Sequence, residues 1–232
     1  MSMDYSRNAK YFKPKPSVKT MGIILVVGLI SAFFTVGIGL VIAIVIVVMM
    51  NSGRPADQEI DQAAIQLSGG LKQRALDELG LDEDQVKEIP PVSFWGWNFG
   101  ESSLDDAANR NAMDVCGKDL KWRSPIIDIT WLFFTKTEIR IYKKTCSLVS
   151  NLAKEDTETY YYKKIDNVKT QSKDVQLVDR RTNQEIPGQK VKMETIMWNT
   201  MGGDKVYLSV QDSILAKNTV AAVRNLVNEK NN

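Results

Sequence analysis

The sequence predicts an α+β protein: an N-terminal transmembrane helix, a linker helix, then a small antiparallel β-barrel capped by a C-terminal helix. Three patterns carry this reading. Residues 21–50 form an unbroken apolar run. Ile60, Ala64, Leu67, Leu71, Ala75 and Leu79 then recur at steps of three and four, the period of one helix face. After Pro125 apolar residues alternate, the period of a strand, until a last helical stripe at Val220, Val223 and Val227.

The apolar run opens with Met21, closes with Met50 and holds no charge and no proline, with Ser31 and Thr35 its only hydroxyls. As one helix it rises roughly 45 Å, against a hydrocarbon core of about 30 Å. It is therefore expected to cross a lipid bilayer once. Residues 1–20 before it are polar, broken by Pro14 and Pro16, and read as a disordered basic arm. There Arg7, Lys10, Lys13, Lys15 and Lys19 stand against Asp4, whereas only Arg54 follows the run closely. Basic flanks stay on the cytoplasmic side. The expectation is a single-pass cell-membrane protein with its N-terminus in the cytoplasm and its C-terminal domain outside. The alternative is a helical hairpin bent near Thr35 to Gly39, which leaves the C-terminal domain cytoplasmic. The run is about twice as long as the apolar region of a signal peptide and lacks a small-residue cleavage site. Gly28 with Ala32, and Gly39 with Ala43, make small-xxx-small faces on which two copies of the span could pack as a homodimer.

Residues 51–89 read as a helical linker. Asp57 and Glu59 favour a helix N-terminus, the Gly69–Gly70 pair weakens the middle, and Gly80 suits the C-terminal stop. Residues 90–125 read as irregular, with Phe94, Trp95, Trp97 and Phe99 crowded into PPVSFWGWNFGE. Two readings compete: Trp95 and Trp97 rest at a membrane interface, or the cluster plugs a domain core.

Residues 126–232 read as the β-domain. Ile127, Ile129, Trp131 and Phe133 alternate, then Ile139 and Ile141 do, with Thr135-Lys136-Thr137 between them, which predicts a hairpin. Strands follow in TETYYYKK, over 164–173 and 175–178, and around Val191 to Met197; RRTNQEIPGQ reads as a loop, and Met201-Gly202-Gly203-Asp204 turns the chain into KVYLSV. A closing helix is expected from about Asn218.

ITWLFFTKTEIRIY, YYYKKIDNVKT, the Gly-Gly turn of WNTMGGDKVYLSV and TVAAVRNLV together resemble the bacterial pleckstrin-homology-like domains, over a little under half the chain. The order of membrane segment, LGLDEDQ helix and β-domain is also similar to a group of bacterial membrane proteins. The resemblance implies a small barrel of pleckstrin-homology type that binds a peptide, a partner domain or a lipid headgroup. It points to Lys136, Arg140, Lys143 and Lys144 on the first hairpin as candidate ligand or lipid contacts. Interspersed Glu138, Glu155 and Glu158 favour the plainer reading of solvated outward residues.

Chemistry is constrained more by what is missing. The chain has no histidine, which excludes Ser-His-Asp and Cys-His catalysis and any His-ligated metal. Cys116 and Cys146 are too few for a thiolate cage, and their pairing is open at this level. Acidic runs such as Asp82-Glu83-Asp84 lack the ligand series of a calcium loop, and the Gly-Gly pairs lack the lysine and hydroxyl of a phosphate loop. Residues 51–232 hold 25 basic and 27 acidic side chains, no basic footprint for nucleic acid. No metal, cofactor or catalytic residue is expected. The function expected is non-enzymatic: a membrane-anchored binding or scaffolding protein with an unknown protein or peptide partner. The alternatives are a structural subunit of an envelope or membrane complex that self-associates through span and linker, and an enzyme.

Overall fold

β-branched and aromatic residues dominate residues 126–134, and both faces of that stretch are largely buried, so its apolar residues are interrupted only by Asp128 and Thr130. A computed structural model describes residues 3–14, 18–34, 38–86, 89–99 and 104–231. Helices α1 (Tyr5–Tyr11), α2 (Val18–Phe34), α3 (Ile38–Asn51), α4 (Asp57–Ser68) and α5 (Lys72–Leu79) precede strand β1 (Val92–Trp97). A helical turn α6 (Ala107–Arg110) and the two-stranded ribbon of β2 (Val115–Cys116) and β3 (Trp122–Arg123) lie between β1 and the rest. Strands β4 (Ile126–Phe134), β5 (Glu138–Ser147), β6 (Ala153–Tyr161), β7 (Ile165–Asp179), β8 (Gln184–Thr200) and β9 (Lys205–Ser209) lead to α7 (Ser213–Asn231).

All strand pairs are antiparallel. One sheet has the order β1-β4-β5-β6 and a second β7-β8-β9. They enclose a core of Leu132, Phe134, Ile139, Ile141, Val168, Ile196 and Trp198, closed by Ala216, Val220, Val223, Leu226 and Val227 of α7. Each such Val or Leu contributes roughly 1.5–3 kcal/mol on burial, so α7 is fastened by its apolar stripe. It begins at Ser213, five residues before the expected start, because the Asp212 carboxylate accepts from the N–H groups of Ile214 and Leu215, both at 2.9 Å.

A second core lies on the opposite face of β4. Ile127 and Ile129 meet Ile60 and Ala64 of α4, Tyr11 and Phe12, and Leu177 and Val191 from the far half of the β7–β8 hairpin. That hairpin is the longest element pair. Residues 165–179 form one strand where two short ones are expected, with an irregularity at Gln176/Val178, and β8 runs on through Pro187 and Gly188. The 1–20 arm is not wholly irregular either. Asp4 caps α1 by accepting from the Arg7 N–H at 2.9 Å, and the completely buried Phe12 pins the helix end to the second core. A third, smaller cluster packs Ala75, Leu76 and Leu79 of α5 on Phe133 and Tyr142.

The predicted transmembrane helix is corrected. No helix among the described residues is long and apolar enough to cross a membrane. The 21–50 run is divided between α2, 17 residues or about 25 Å, and α3, 14 residues or about 21 Å, each shorter than the roughly 30 Å hydrocarbon core. The single-pass membrane localisation, outward-facing domain included, falls with it; of the hairpin alternative, two helices lying side by side are seen, but neither is long and apolar enough to cross a membrane. The physical reason is that the small residues bring the two halves together. A Cβ on Gly28 would collide with the Ala43 Cβ, and one on Gly39 with the Ser31 hydroxyl, so α2 and α3 lie side by side. Of the bend expected near Thr35 to Gly39, residues 35–37 fall outside the described residues, and Gly39 lies in the first turn of α3.

The β-domain also starts earlier than expected. Val92–Trp97, expected to lie in the irregular 90–125 segment, pairs with β4 along its whole length, from Val92 opposite Leu132 to Trp97 opposite Ile127. The aromatics of β1 and the residues just after it divide between cores: Phe94 enters the first, Trp97 and Phe99 the second.

Candidate functional site

Gly96 brings the two sheets together. A side chain there would strike Ser209 and the Val210 N–H, so only glycine lets the end of β9 come against β1. The next two residues bridge the sheets: the Val210 N–H donates to the Glu194 carbonyl of β8 at 3.1 Å, and the Gln211 N–H to the Trp95 carbonyl of β1 at 3.0 Å. Here the chain leaves β8 for α7. β9 pairs β8 only from Thr195 to Asn199, so β8 on the near side of Glu194 keeps no strand on that flank among the described residues.

The space so left is a cleft of about 560 Å³. Trp95, Trp97 and Phe99 wall it from β1 and its exit, Val191 to Glu194 from β8, and Leu120 to Arg123 from the β2–β3 ribbon, with Ile65 of α4 at the mouth. Trp95 and Trp97 meet edge to face, centroids 5.4 Å apart at 84°. Leu120 is 83% exposed and holds a positive φ of 62° at the ribbon turn. A leucine so placed is an apolar contact presented to the cleft mouth.

The ribbon is held by ions rather than by its four residues of strand. The Arg123 side chain is 1% exposed. Its Nε and Nη2 donate to the two oxygens of Asp61 on α4 at 2.7 and 2.8 Å, and its Nη1 and Nη2 to the two oxygens of Asp119 at 2.9 and 2.8 Å. These bonds hold the Asp119 carboxyl well below the ordinary carboxylate range and raise the guanidinium's own pKa. Beside them the Tyr11 hydroxyl donates to Asp57 at 2.8 Å, and the Lys118 N–H to the other Asp57 oxygen at 2.8 Å. Burial works against ionisation of Asp57, but Tyr11, Lys118 and Arg123 together hold its carboxyl low. The cleft wall is thus a rigid bracket tying α1, α4 and the ribbon. Asp61 and Arg123 are committed to each other, which leaves Lys121 and Lys192 as the cations that face the opening, with Glu194 hydrogen-bonded by the Ser172 hydroxyl.

The sequence-predicted candidates lie elsewhere. Arg140 pairs with Glu138 at 2.5 Å, Lys143 with Glu158 at 2.6 Å, and Lys144 with Glu155 at 2.9 Å, while Lys136 is exposed in the β4–β5 turn. Side chains alternate along β5, so Arg140 and Lys144 share one face and Lys143 takes the other. The four do not converge. Trp95 and Trp97 sit in the cleft wall, Trp97 buried and Trp95 half-buried. The faces of Gly28, Ala32, Gly39 and Ala43 are used between α2 and α3 of one chain. Cys116 and Cys146 are free thiols, and burial pushes the Cys146 thiol up to about 11. Among the described residues no group of three or more His, Cys, Asp or Glu is gathered for a metal.

Sequence reading passed over Leu120, Trp122, Arg123 and Lys192. The available signal was small: GKDLKWR places an exposed leucine and a tryptophan inside an otherwise charged turn. Comparison with protein-family models, with curated proteins and with solved structures finds no match for this chain.

Proposed function

We propose that this protein is a non-enzymatic binding module whose ligand site is the tryptophan-lined cleft between β1, β8 and the β2–β3 ribbon. The observation that carries the reading is the pairing of an apolar, aromatic wall with a bracket that holds it open: Leu120 stands exposed on a turn fixed by the buried Arg123. Binding sites of this kind combine apolar lining with a few placed polar groups and need little rearrangement. Of the charged lining residues, Asp61 and Arg123 are tied up in the clasp that Arg123 makes with Asp61 and Asp119, and the chain holds no histidine to serve as a base. A four-stranded and a three-stranded antiparallel sheet closed by a C-terminal helix are also what a pleckstrin-homology-like module would supply, and that resemblance supports the same reading. Ion pairing of Arg140, Lys143 and Lys144 weighs against an anionic headgroup on the first hairpin.

The test is a screen of aromatic and aliphatic fragments against the full chain, read by NMR shifts of the indole N–H groups. Shifts at Trp122 and Trp95 that vanish in Leu120→Asp are expected. Binders that map to the β5–β6 face and leave these indoles unmoved would overturn the proposal.

A further inference from the structure

The open flank of β8 narrows the class of ligand. Successive residues of a strand point their backbone N–H and C=O to opposite neighbours. The Glu194 carbonyl points toward β9, since it accepts from the Val210 N–H. The β7–β8 register is unbroken from Thr195 opposite Gln171 to Lys190 opposite Gln176. Lys192 and Lys190 therefore turn their N–H and C=O groups to the same side as Glu194. β9 has already ended there, at Ser209 opposite Thr195. The side chains between them, Val191 and Met193, face the second core together with Trp95, Trp97 and Trp122.

We propose that the cleft takes an extended peptide segment of a partner protein, laid along β8 in line with β9 and hydrogen-bonded to the main chain of Lys190 and Lys192. This rests on the cleft being the binding site. Strand addition of this kind draws affinity from main-chain bonds and selectivity from pockets for alternate side chains. One face of the added strand lies over Trp95, Trp97 and Trp122 and takes apolar side chains. The other carries acidic side chains, because Lys121 and Lys192 line the opening and Lys190 is exposed beside it. The bulge that holds Ile186 to Gln189, where the Gln176 amide bonds the Ile186 and Gln189 carbonyls, ends the usable edge. The site therefore reads a short segment matching the four residues from Lys190 to Met193.

The probe is the capped heptapeptide Glu-Val-Glu-Phe-Glu-Val-Glu, titrated into the full chain by NMR with hydrogen exchange. Slowed exchange of the Lys190 and Lys192 amides is expected. N-methylating one alternate set of peptide amides should weaken binding at least tenfold and the other set less than threefold. Lys192→Pro, which removes one edge N–H at a position where an edge strand tolerates proline, should weaken it tenfold, and Lys192→Ala about threefold. Shifts at Trp122 with unchanged exchange at Lys190 and Lys192, or equal effects of both methylated sets, would overturn strand addition and leave the cleft reading standing. A peptide that shifts neither the edge nor the tryptophans overturns both. Self-association of the chain that protects Lys190 and Lys192 without peptide would assign the edge to a second copy and also overturn the proposal.

Discussion

The Arg123 guanidinium meets the Asp61 carboxylate side by side, Nε to Oδ1 at 2.7 Å and Nη2 to Oδ2 at 2.8 Å, across 62 residues of chain. This two-bond geometry is one that lysine cannot reproduce. Because the arginine is buried and both its carboxylates are about a third exposed, the pair acts as a clasp between α4 and the ribbon. Arg123→Ala leaves two carboxylates facing each other and is expected to destabilise by about 3 kcal/mol, with Arg123→Lys recovering only part. Urea unfolding followed by tryptophan fluorescence measures this. An unchanged midpoint in Arg123→Ala would show that the ribbon is held by other contacts.

Asp128 has the opposite electrostatics. Burial raises its carboxyl above the ordinary value, against the bonds from Asn98 at 3.0 Å and Thr145 at 2.8 Å and the nearby Lys143. A raised folded-state value means its stabilising contribution is present below the ordinary carboxylate range and is lost as pH rises through the raised value. Asp128→Asn should therefore stabilise the chain more at pH 7 than at pH 4. Chemical denaturation at the two pH values checks it. A larger gain at pH 4 would be the wrong sign.

Gly28 and Ala43 share one contact between α2 and α3, with no room for a second methyl. Gly28→Ala is expected to cost about 1–3 kcal/mol through overpacking. Gly28→Ala combined with Ala43→Gly moves the methyl to the other helix and should restore much of the loss. Limited proteolysis near Gly53 reports the packing of the pair. A double variant no better than the single one would place the clash elsewhere, against the Gly39 carbonyl.

The two thiols should react in sequence. Cys116 is exposed, whereas Cys146 is 3% exposed with its thiol pushed up to about 11 by burial, and thiolate is the reactive form. A disulfide reagent at pH 8 should modify one thiol per chain at once and the second only in denaturant. Fast modification of both would contradict the packing of Cys146 in the second core.

Legibility followed range. Period-two alternation over 127–133 and again at 139–141 comes from neighbours along each strand, and β4 and β5 occupy those residues. The break between α4 and α5 falls at Gly69 and Gly70, and Gly80 ends α5 in the left-handed conformation with a φ of 61°. β1 was hidden because Pro90, Pro91 and Gly96 dilute its pattern, and its assignment rests on a partner 30 to 40 residues away. The division of the apolar run was hidden for a related reason. Hydropathy records that all thirty residues avoid water, but not that Gly28 and Gly39 let one half pack on the other.

The cleft lies at the far end of the same scale. By itself the sequence determined composition-level chemistry: no histidine, few thiols, balanced charge and a strand-rich second half closed by a helix. Only the tertiary structure decided where β9 stops short of β8, and that Arg123, Asp61 and Asp119 meet. The reason is physical. Periodicity and composition are sums over near neighbours, whereas an open strand edge and a buried clasp are made by residues that folding alone brings together.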